Sequence, residues 1–173
     1  WATATQTIQA AVDAATTNDL VLVSNGVYET GSRFAGGWNN RVAIDKPIIV
    51  RSVNGPSFTT IRGQQPSGPS AIRGVYVGAD AMLDGFTVTG GATHYFDGGG
   101  EWDRHDGGGI MAAAMGVVSN CLITGNHAAR FGGGVFGGIL RNCIVSSNSV
   151  FTAGGGAAFS SLESCLMSGN TTR

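Results

Sequence analysis

Three marks recur in the last third of the chain on a period of 22 residues. Asn120-Cys121, Asn142-Cys143 and Ser164-Cys165 form one series, and Gly125-Asn126, Ser147-Asn148 and Gly169-Asn170 form a second. Glycine triplets starting at Gly107, Gly132 and Gly154 form a third, spaced 25 and then 22 residues apart. Agreement of independent marks on one period identifies a structural repeat. A unit this short has no room for a helix pair. It fits one turn of a β-solenoid, built from short strands joined by Gly-, Asn- and Ser-rich corners.

Stacked turns place equivalent residues above one another, about 4.8 Å apart. The residue types then read as columns. Runs 118–123, 140–145 and 162–167 are the expected strands. Cys121, Cys143 and Cys165 make an inward column of small apolar groups. Ile123, Val145 and Met167 make a second, two residues on, as strand alternation requires. Asn126, Asn148 and Asn170 make a corner column whose amides can bond one another. The glycine triplets supply corners with positive φ and close backbone approach.

The arrangement Asn-Cys, two apolar residues, a following Asn and a glycine triplet resembles the right-handed parallel β-helix repeats of secreted bacterial proteins. Those include pectate-lyase-like proteins and polymorphic outer-membrane proteins. The start of the chain is similar to theirs too, from Ile8-Gln9 through 19–23 to Gly26-Val27-Tyr28. The resemblance implies an all-β, right-handed parallel β-helix of about six or seven coils with a short N-terminal capping helix. It leaves activity open, because the fold serves lyases, hydrolases, adhesins and fibres alike.

The 173 residues suit one domain. It divides into a cap (1–18), N-terminal coils (19–91), an inserted loop (92–106) and regular 22-residue coils (107–173) ending openly. Net charge is −1, with charged residues at 12%, so there is no basic footprint for nucleic acid. No apolar run approaches a membrane span. Trp1-Ala2-Thr3 lacks the features of a leader and reads as the start of a mature or trimmed chain. A lysine-poor, Ser/Thr/Gly/Asn-rich composition points to an extracellular or cell-surface location. Three cysteines cannot all pair within one chain. They form either a ladder of buried free thiols or one disulfide between neighbouring rungs.

In the cap, Ile8, Ala11, Val12 and Ala15 share one helical face, with Thr5 or Thr7 as N-cap. Such a helix can lie over the open end of a solenoid. The most unusual stretch is the 94–106 insertion, which gathers carboxylates, histidines and aromatics. Its acidic residues Asp97, Glu101, Asp103 and Asp106 are candidate calcium ligands. His94, Tyr95 and Trp102 are candidate ligand-binding residues for sugar rings. Arg104, His105 and Arg130 are candidate catalytic residues for a polysaccharide lyase. By register, His105 and Arg130 fall on adjacent rungs.

A competing signal is an outward column of Leu122, Ile144 and Leu166, where water would favour polar residues. An apolar stripe of this kind marks an interaction surface. These residues, with the open C-terminal end, point to a secreted structural or adhesive module. It would self-associate, as a head-to-tail filament subunit for instance, or belong to a longer cell-surface protein. The alternative is an extracellular polysaccharide-binding or lyase-type domain acting through the 94–106 loop.

Overall fold

The computed structural model describes residues 4–95 and 102–173, and of Trp102 and Asp103 the backbone alone. The chain is mostly β, with one short helix, Ile8–Ala14. Its strands fall into three six-stranded sheets and a small three-stranded one. The first sheet holds Leu20–Val23, Ile49–Ser52, Met82–Asp84, Val117–Ser119, Ile139–Arg141 and Ser161–Glu163. The second holds Gly26–Tyr28, Thr59–Arg62, Thr87–Thr89, Leu122–Thr124, Ile144–Ser146 and Leu166–Ser168. The third takes Trp38–Ile44, Arg73–Val77, Ile110–Ala112, Val135–Phe136 and Ala157–Ala158 in parallel, with Arg33–Ala35 antiparallel on its first strand. The chain visits the sheets in the same order on each circuit. The inner strands of each parallel stack therefore pair with their equivalents one circuit before and after.

The core is three columns, one from each sheet. Val50, Leu83, Val118 and Leu140 come from the first sheet, and Ile61, Val88, Ile123 and Val145 from the second. Val42, Val75, Ile110 and Val135 come from the third. Phe86, Cys121 and Cys143 fill the corner between the first two sheets and are fully buried. The cysteines are free thiols, and Cys165 is partly exposed.

Each run expected as a single strand is two strands in different sheets. Asn120, Asn142 and Ser164 stand between them at φ +52°, +54° and +53°. This is the left-handed region, which asparagine tolerates better than most residues. The chain therefore turns a corner immediately before each cysteine. The Asn142 amide donates to Asn120 Oδ1 at 2.8 Å, and Asn120 donates to Asp84 Oδ1 at 2.7 Å, so an exposed ladder runs along this corner.

The second, buried ladder is the expected one. Asn126 Nδ2 and Asn148 Nδ2 each donate to the Oδ1 of the next asparagine at 3.0 Å. Their backbone N–H groups do the same, also at 3.0 Å. The glycine triplets pack against this ladder. Gly132 turns the corner at φ +63°, whereas Gly134 is needed for space: a Cβ there would lie 2.5 Å from Gly156 O.

The helix closes the N-terminal end. Thr7 is its N-cap, accepting from Ala10 N at 3.1 Å, and Ile8 and Val12 are buried. Gln9 mimics a neighbouring strand on the third sheet: its Oε1 accepts from Ala43 N at 2.8 Å and its Nε2 donates to Ala43 O at 3.2 Å. Lys46 Nζ donates to the carbonyls of Val12, Asp13 and Ala15.

Candidate functional site

The inserted segment leaves the repeat after Thr93 and returns through a turn of 3-10 helix, Trp102–His105. Its two ends lie side by side, with His94 N donating to Arg104 O at 3.2 Å. His105 is fully buried. Its Nε2 accepts from Arg104 Nε at 3.3 Å, and its Nδ1 lies 3.4 Å from His94 O. Arg130 N donates to His105 O at 3.0 Å, so these two residues do sit on adjacent rungs.

Asp106 has no exposed surface. Its carboxylate accepts from Arg130 through both Nε and Nη2, and its Oδ1 also accepts from Phe131 N at 3.1 Å. Its carbonyl accepts from the buried Arg73 guanidinium at 3.1 and 2.9 Å. Arg73 also donates to Asn40 Oδ1 at 3.1 Å. This forked arginine–carboxylate geometry fixes both groups. It pins the returning insertion between two rungs of the wall. Arg130 thus holds Asp106 here, and both Asp106 oxygens are engaged by protein donors. Asp97 and Glu101 lie outside the described residues, as do the side chains of Asp103 and Trp102. Among the described residues no group of three or more His, Cys, Asp or Glu is placed to hold a metal ion.

The aromatic end of the insertion faces outward. His94 packs edge-on against Trp38, with ring centres 5.3 Å apart, and tilted against Tyr95 at 4.3 Å. Tyr95 is 49% exposed and stands on the rim of a cleft of about 520 Å³. Gln65, His127, Ser149, Phe151 and Arg173 also line it. His127 Nδ1 lies 2.9 Å from Ser149 Oγ, and Phe151 meets the imidazole edge-on at 5.1 Å. Burial, and next the Arg173 charge, hold the His127 imidazole below the ordinary histidine value, while a contact with Ser149 pulls the other way. The cleft is thus an open, mixed polar and aromatic surface, without an acidic side chain among its described lining residues.

The outward stripe also lies where the register puts it. Thr87, Leu122, Ile144 and Leu166 are successive partners in the second sheet. Ile144 is 45% and Leu166 58% exposed. The neighbouring outward column, Thr89, Thr124, Ser146 and Ser168, is polar. Leu162 and Met167, equivalents of the buried Leu140 and Val145, are 46% and 39% exposed.

No protein-family model matches the chain, and no curated protein matches it significantly. What the site can do therefore rests on its own residues. Sequence reasoning found Tyr95 but not His127, Ser149 and Phe151. His127 and Ser149 fill the slot just after each ladder asparagine, where the third repeat has Thr171. The signal available was a histidine in a column whose later members, Ser149 and Thr171, carry hydroxyls. No helix among the described residues is long and apolar enough to cross a membrane.

Proposed function

We propose that this chain is a right-handed parallel β-helix module, secreted and acting at a cell surface, with a structural and adhesive role. Support for the fold comes from the strict succession of the three parallel sheets and the 22-residue register of the later circuits. The observation that carries the function is the apolar stripe of Leu122, Ile144 and Leu166 on an otherwise polar sheet face. A second copy is its occupant, meeting the stripe side by side. The closed N-terminal end argues for this lateral contact over head-to-tail stacking, because the helix already covers the core there.

The test is light scattering with negative-stain microscopy over a concentration series. Oligomers that dissociate on Ile144→Asp are expected, with the circular dichroism spectrum unchanged. A monomer at every concentration defeats the self-association reading.

A second reading is favoured by one observation: Tyr95 and Phe151 stand exposed on the same open cleft. Their rings suit the apolar faces of sugars, which supports an extracellular polysaccharide-binding or lyase-type domain, with calcium held by the insertion's other acidic residues, Asp97, Glu101 and Asp103. Incubation with acidic polysaccharides and Ca²⁺, followed by unsaturated-uronate absorbance, checks cleavage. Retention on glycan-coated beads, lost on Tyr95→Ala, checks binding.

A further inference from the structure

Arg33, Arg51, Arg62 and Arg141 each meet a carboxylate at 2.6 to 2.9 Å, and all four side chains are about half exposed. Arg41 is the reverse case. It is 6% exposed, yet no carboxylate among the described residues forms an ion pair with it. Its Nε donates to Arg62 O at 2.8 Å, its Nη1 to Gly31 O, and its Nη2 to Gly63 O at a long 3.4 Å. Three such bonds do not use all five N–H groups of a guanidinium. Glu29 acts on Arg41 only through space, because its carboxylate is held by Arg62 Nη1 at 2.9 Å. Burial holds the Arg41 guanidinium below its ordinary value, with Glu29 pulling the other way. A cation taken out of water and met by carbonyls alone is costly, and protein interiors offset such a charge with an anion.

Arg41 also lines a pocket of about 250 Å³ between the start of the helix and the first circuit. Thr7 and Thr30 bring hydroxyls to this pocket, and Ile8, Val27 and Val42 give it an apolar side. No acidic side chain stands among its described lining residues. Its volume lies below the roughly 300–1,000 Å³ of clefts that take drug-sized ligands, so its occupant is small.

From this we propose that the pocket binds a small organic carboxylate. The carboxylate meets Arg41, and its short apolar chain lies along Val27 and Val42. The anion then does for Arg41 what the Asp106 carboxylate does for Arg130 elsewhere in the molecule. Inorganic phosphate has no apolar part and matches this lining less well. The site shares no residue with the stripe of Leu122, Ile144 and Leu166, so it stands or falls apart from the self-association reading.

The test is a heteronuclear NMR titration of the whole chain with acetate and with butyrate, against sodium chloride at matched ionic strength. The Arg41 Nε–H signal is the reporter, together with the backbone amides of Val27 and Thr30. Saturable shifts are expected at all three. Butyrate should bind about tenfold more tightly than acetate, because it buries two more methylenes. Arg41→Gln should abolish the shifts at the two amides. Since loss of a buried arginine also disturbs its corner, Val27→Asp is the second variant, at a position 54% exposed. Its carboxylate should exclude the added anion with the circular dichroism spectrum unchanged. Shifts that grow linearly and match those from chloride overturn the inference. Saturation by inorganic phosphate, with none by either carboxylate, overturns it as well and assigns the pocket to a different anion.

Discussion

Asp106 and Asn148 carry the largest single-residue consequences, for different reasons. Asp106 is a buried charge whose forked partner Arg130 is itself mostly buried. Asp106→Ala leaves that guanidinium without its carboxylate, and losing one member of such a pair costs about 3–5 kcal/mol. Urea melts should show a loss of this size. Arg130→Lys should recover little of it, because an ammonium cannot make the fork. The Asn148 side chain makes four hydrogen bonds in a dry corner, three to ladder asparagines and one to Ile123 O, so Asn148→Ala should cost about 3 kcal/mol. Asn142 holds the exposed ladder at positive φ, so Asn142→Gly should stay within about 1 kcal/mol of the parent. Equal losses at 142 and 148 would contradict the distinction between wet and dry ladders. His127 adds a pH term. Its native value is depressed, so its contribution is full above the unfolded value of about 6.5 and falls away as pH drops through the depressed native value. Stability should therefore fall between pH 7.5 and 5, by less in His127→Gln, as read from paired urea melts.

The sequence announced the columns, and it also held the clue to the corners that were misread. Val118, Cys121 and Ile123 all point inward, and a gap of three followed by a gap of two breaks strand alternation at Asn120. Read as an apolar run, 118–123 looks like one strand; read as spacing, it contains a turn. The insertion hid its anchoring for another reason. Its carboxylates and histidines resemble a ligand-binding loop. Yet the partners that consume Asp106 lie 24 and 33 residues away, at Arg130 and Arg73, and only the register of the rungs brings them together. At the level of elements, the helix is a lid held by side-chain mimicry of a strand. Gln9→Ala removes two hydrogen bonds from Ala43 and should cost about 1–2 kcal/mol. Hydrogen exchange at the Ala43 amide should quicken well beyond the change at Val135 N, whose bond to Gly156 O is distant from the cap.

For the whole molecule, the capping helix and the stripe set the scale of its contacts. The helix covers the core at the N-terminal end, and the second sheet's outer face carries one apolar column beside a polar one. If the stripe is the contact between copies, Leu166→Asp and Ile144→Asp should each shift the sedimentation coefficient toward the monomer. A polar change in the neighbouring column, such as Ser146→Asp, should not.

Asparagine must land on asparagine, and glycine triplets must meet the ladder beside them. A shift of one residue along the chain breaks every rung at once, while a shift of one full repeat breaks none. Removing 132–153, which is 22 residues, should leave a shorter protein that still melts cooperatively; removing one residue fewer should not. Between one ladder asparagine and the next, such a chain can therefore change its length only in whole steps, and the buried amides act as the teeth that enforce the step size.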